Sequence, residues 1–96
     1  MDKKPPILGY EVSVSGRDDG TIEAVYIHVR EGKVATTREI EGDTLLADYD
    51  ADGNVLGIEI LAPVRLANVE DLVEQRQRRS FGRFVRSTVP SELVAP

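Results

Sequence analysis

The chain has no cysteine and no tryptophan, and only one methionine and one histidine. Without cysteine there is no disulfide, no thiol nucleophile and no thiolate metal ligand. The single histidine, His28, rules out a histidine metal cluster. As a general base it would need an orienting partner and a nucleophile within hydrogen-bond reach, and the sequence marks neither. A strand histidine facing solvent or a partner chain is the reading preferred. No G-x-S-x-G, no phosphate-binding glycine loop and no apolar run of the roughly 18 residues needed to cross a membrane is present. The start, MDKKPPILGY, lacks the apolar stretch of a signal peptide. The expectation is a soluble cytoplasmic protein that is not an enzyme, carries no cofactor and has no membrane contact.

Aromatic residues are few: Tyr10, Tyr26, Tyr49, Phe81 and Phe84. A core must therefore be built mainly from Val, Ile, Leu and Ala. With 96 residues and 41% apolar content there is material for one modest domain. The formal charge of -5 is unevenly spread. Residues 1–64 hold thirteen acids and six bases, whereas residues 65–96 hold six bases and four acids. An acidic body joined to a basic tail invites a partner, or contact between copies.

Hydropathy alternation predicts strands. Tyr10, Val12 and Val14 alternate with Glu11, Ser13 and Ser15. After the turn GRDDG, the segment Thr21 to Arg30 is rich in β-branched residues, with Val25, Ile27 and Val29 on one face and Ala24, Tyr26, His28 and Arg30 on the other. Lys33 to Glu41 reads as a more polar strand. Thr44 to Tyr49 places Leu45, Ala47 and Tyr49 together, and Asn54 to Leu61 places Leu56, Ile58 and Ile60 together. Short turns between sequential strands predict a five-stranded antiparallel meander. Beyond Pro63 the pattern predicts a helix over 68–80, capped by Asn68, with Val69, Leu72 and Val73 as its apolar face and Gly82 as a stop or kink. The segment SFGRFVRSTVPSELVAP predicts no defined element and is expected to order only against a partner. The fold expected is α+β and mainly β, with a lead over 1–8, a meander domain over 9–64, and a C-terminal helix and basic tail over 65–96. Three apolar helix residues cannot cover five strands, so a curled sheet or a homo-oligomer is expected.

Asp48 to Glu59, DYDADGNVLGIE, satisfies the calcium-loop pattern D-x-[DN]-x-[DN]-G-x5-E through Asp48, Asp50, Asp52, Gly53 and Glu59. Such a loop needs a helix on each side. Thr36, Thr37 and Gly42 weaken an entering helix, and Pro63 stops an exiting one. Leu56 stands where a further ligand belongs. The competing reading is the turn and return strand of a hairpin, because Asp and Gly accept turn geometry and short carboxylates bond to nearby amides. A calcium- or metal-binding domain is the alternative function.

AVYIHV at Ala24 to Val29, followed by VATTREIEGDTLLADYDADGNVLGIEIL at Val34 to Leu61, resembles a small prokaryotic family known as a domain of unknown function. Its members carry a D-A-L-Y-I-R-like strand and then V-D-Y-D-x-x-G-x-x-x-G-I-E-I-L. The resemblance covers about residues 9–62, departs at Glu23-Ala24-Val25, and leaves 65–96 as an addition. It implies a small β-rich fold and carries over no catalytic residue. Members encoded beside small toxin-like proteins make an antitoxin-like role the one it suggests.

The basic segment QRQRRSFGRFVR supplies the candidate partner-binding residues Arg76, Arg78, Arg79, Phe81, Arg83, Phe84 and Arg86. Phe81, Phe84 and Val85 share the i, i+3, i+4 spacing of an anchor in a partner groove. A protein partner or self-association is favoured over nucleic acid, which the acidic body repels. The expected function is a small protein-interaction module without enzymatic activity.

Overall fold

A computed structural model describes residues 9–96; the lead expected over 1–8 lies outside the described residues. Five strands, β1 (Glu11–Gly16), β2 (Ile22–His28), β3 (Thr36–Glu41), β4 (Leu45–Tyr49) and β5 (Val55–Ile60), form one antiparallel sheet. A short strand β6 (Val64–Arg65), helix α1 (Leu66–Glu70), a 3-10 turn (Gln75–Gln77), helix α2 (Arg78–Thr88) and strand β7 (Val94–Ala95) follow. The class is α+β and mainly β, as the alternation predicts.

The strand order is β1-β2-β5-β4-β3. The neighbour of β2 is thus β5, and the link to β3 crosses one end of the sheet. The reason lies in the side chains. β3, TTREIE, has five exposed residues and one half-buried, and suits an edge. A strictly sequential order would have put it at the centre. The central strands β2, β5 and β4 instead carry Val25, Ile27, Ile58, Ile60, Leu45 and Ala47, all buried. Both edges are interrupted by irregular register, at Ser15/Gly16 in β1 and at Glu39/Glu41 in β3, which blunts them against further strand pairing.

A bulge also sits between β4 and β5, at Asp48/Tyr49. It shifts the alternation expected for β5. Val55, Ile58 and Ile60 join the main core, whereas Leu56 is buried outside it, against Gly32 of the crossing link. The Leu56 carbonyl accepts from the amides of both Val29 (2.8 Å) and Arg30 (3.2 Å), which anchors the start of that link.

Residues 64–96 cover the inner face of the sheet. Val69, Val73, Phe81, Val85, Val89 and Leu93 pack with the inward residues of β2, β4 and β5 in one core. β6 and β7 pair in parallel, and the Val64 amide donates to the Leu93 carbonyl at 2.9 Å, so this cover begins and ends at one place. It departs from the predicted helix over 68–80 in three respects. Asn68 lies inside α1 rather than capping it, and its side-chain amide donates to Glu41 Oε2 at 2.7 Å. The helix breaks over 71–74 and restarts at Arg78. Gly82 does not stop α2; it is buried within it, where a Cβ would collide with the Glu70 carboxylate of α1. The segment with no predicted element is ordered here against the chain's own sheet.

Phe81 is fully buried at the centre of this cover, with Tyr10 edge-on at 5.1 Å between ring centroids. Phe81→Ala is expected to cost about 3–5 kcal/mol. That is a large part of the roughly 5–15 kcal/mol available to a small domain. The measurement is the urea midpoint; an unchanged midpoint would place the ring outside the core.

Candidate functional site: the open face of the sheet

Among the described residues no element packs on the outer face of the sheet. The pleat sends alternate residues there, and the register sets them in rows. One row runs Glu11, His28, Gly57, Asp48, Thr37 from β1 to β3, and the next runs Ser13, Tyr26, Glu59, Leu46, Glu39. Glu11, Asp48, Glu59 and Glu39 make this face acidic, and no lysine or arginine occupies either row.

Its best-ordered part is a three-strand network. Tyr26 on β2 leans across Gly57 of β5 and donates to Asp48 Oδ2 on β4 at 3.0 Å. Thr37 on β3 donates to the other oxygen, Oδ1, at 2.6 Å. Gly57 makes this possible: a Cβ there would collide with the Tyr26 phenol. Partial burial, with the Asp48 carboxylate as hydrogen-bond acceptor and nearby charge, pushes the Tyr26 phenol up to about 12. So tyrosine stays protonated and donates, and the Asp48 side chain is held from both sides.

His28 stands in the first row with Nε2 3.5 Å from Glu31, a residue whose side chain is 97% exposed. It makes no hydrogen bond to a hydroxyl nucleophile among the described residues. A cavity of about 90 Å³ lies at the end of β2, lined by Val29, Arg30, Asn54, Val55, Leu72 and Gln77 among others. It is well below the roughly 300 Å³ at which small-molecule sites begin.

The calcium pattern is distributed over a hairpin. Asp48 belongs to the tyrosine network. Asp50 Oδ1 accepts from the amides of Asp52 and Asn54, both at 2.9 Å, and Oδ2 from the Asn54 side chain at 3.1 Å. Those bonds hold the Asp50 carboxyl below its ordinary range, the Asn54 amide contributing most. Gly53 completes the turn with φ of 86°. Among the described residues no three acidic or histidine side chains gather where a metal ion would sit.

The basic segment divides. Arg76 pairs with Glu74 at 2.8 Å. Arg78 reaches back to the Val73 carbonyl at 3.3 Å and the Asp71 carbonyl at 3.4 Å. Arg79, Arg83 and Arg86 are exposed along one stripe of α2. Phe81 is core, and Phe84 is half-buried with its ring 5.4 Å from Tyr10, so their helical spacing serves the chain's own sheet rather than a partner's groove. The Tyr26–Gly57–Asp48–Thr37 network escapes sequence reading because it depends on β5 lying between β2 and β4.

Residues 19–62 match the family described as protein of unknown function (DUF2283). No curated protein and no solved structure gives a significant match to the chain. The matched region spans β2 to β5 and includes every member of the tyrosine network; β1 and the cover lie outside it.

Two outcomes are expected. Gly57→Ala should destabilise the protein by about 1–3 kcal/mol through overpacking. The cost should shrink in a Tyr26→Ala background, since the two share one space. The unfolded Tyr26 phenol loses its proton near 10, the folded one at about 12. The stability from Tyr26 is therefore complete below pH 10 and is lost as pH rises toward 12. Tyr26→Phe should flatten that alkaline limb, as read by thermal unfolding across the range.

Proposed function

We propose that this chain is a protein-interaction module without enzymatic activity, with the open face of the five-stranded sheet as its contact surface. The observation that carries this is the Tyr26–Asp48–Thr37 network. It fixes side chains from three strands on a face that none of the described elements covers, and pre-organised side chains lower the ordering cost of binding. The acidic rows fit a basic protein surface and repel nucleic acid. An antitoxin-like role, in which this face occupies a small basic protein, is the specific form of the reading.

The test is affinity capture from the native host with wild-type protein and with the double variant Glu39→Lys/Glu59→Lys. A basic partner should be retained by wild type and lost by the variant, with the variant's far-UV circular dichroism unchanged. Equal capture by both, or no reproducible partner for either, would overturn the assignment to this face.

A further inference from the structure

The outer stripe of α2 is a strongly basic surface that the packing of the described residues leaves unused. Arg79, Arg83 and Arg86 stand at i, i+4 and i+7 and are exposed, whereas the buried residues of α2 are Phe81, Gly82 and Val85. None of the three makes an ion pair among the described residues, in contrast to Arg76 and Arg78, which lie near Glu74 and Asp71.

The spacing of the stripe matches the acidic face on the other side of the molecule. Arg79 and Arg86 are separated by about 10.5 Å along the helix axis, at 1.5 Å per residue. Glu39 and Glu59 occupy the same row on β3 and β5, two strand spacings or about 9.6 Å apart. Between them lies Leu46, with Asp48 beside it on β4. A helix laid across the strands would set its outer arginines on Glu39 and Glu59. The stem of Arg83 would then rest on Leu46 with its guanidinium toward Asp48.

We propose that the α2 stripe of one copy docks on the open sheet face of a second copy. This rests on the open face being a contact surface, and it names the occupant. The stripe and the face lie on opposite sides of the sheet–helix sandwich, because α2 is packed on the inner face. No copy can satisfy its own pair, and a two-fold dimer cannot engage both contacts at once. The contact is therefore head-to-tail, and it propagates.

Light scattering and sedimentation velocity on the full chain test this. At low salt, about 20 mM, the mean mass should climb with concentration from 10.6 kDa past that of a dimer, and at about 500 mM it should return to 10.6 kDa as screening removes the contact. Arg79→Glu/Arg83→Glu/Arg86→Glu should stay monomeric, and so should Glu39→Lys/Glu59→Lys. Mixing the two variants should restore assembly, because each then offers the charges that the other lacks. A wild type that stays at 10.6 kDa at low salt, one that stops at a dimer, or a mixture that remains monomeric would overturn the proposal. The arginine variant keeps its open face intact. If it still captures a basic partner while wild type never self-associates, the contact surface stands and only the occupant is wrong.

Discussion

The packing of Phe81, Val85 and Val69 against the inner residues of β2, β5 and β4 is the contact on which the rest of the molecule depends. A sheet of five strands with one apolar face has no stable existence in water until that face is covered. Here the cover is part of the same chain, and the parallel pairing of β6 with β7 returns it to its starting point. The inner face is thereby used up in folding. The outer face is released from any duty in the core, and polar contacts hold its Tyr26, Asp48 and Thr37 side chains.

The strands were readable because their alternation is local. Val25 and Ile27 on β2, and Leu45 and Ala47 on β4, lie inward as their period of two requires. The order of strands was not, since the pairing of His28 with Gly57 is a contact between distant residues that no local pattern encodes. The bulge opposite Asp48 was equally hidden, and it moved Leu56 out of the place its alternation suggested. In the C-terminal segment the helical spacing of Phe81, Phe84 and Val85 was legible, but the surface they pack on was not. Asn68 and Gly82 misled because polar caps and glycine stops are local statistics. Here tertiary contacts, with Glu41 and Glu70, decided their use.

The acidic hairpin shows how one pattern serves two physical ends. Alternate aspartates followed by glycine suit an ion because they present oxygens at close intervals. They suit a tight turn because the same oxygens accept the amides that the turn exposes. In this chain backbone amides take Asp50 Oδ1 and the Asn54 side chain takes Oδ2, while Asp48 is recruited by a tyrosine and a threonine from neighbouring strands. Glycine likewise acts differently at two positions. Gly53 supplies a left-handed turn, whereas Gly57 supplies empty space over which an aromatic side chain can lie.

The partnership of β2 with β5 has a kinetic side. The β3–β4 and β4–β5 pairs close through turns of a few residues, so little chain entropy is lost in forming them. Joining β2 to β5 closes a much longer stretch of chain, and its apolar reward arrives only when the three-strand unit is already in place. The tyrosine network straddles that late seam, with Tyr26 on one side and Asp48 on the other. The outer face is therefore assembled only once the sheet has become whole.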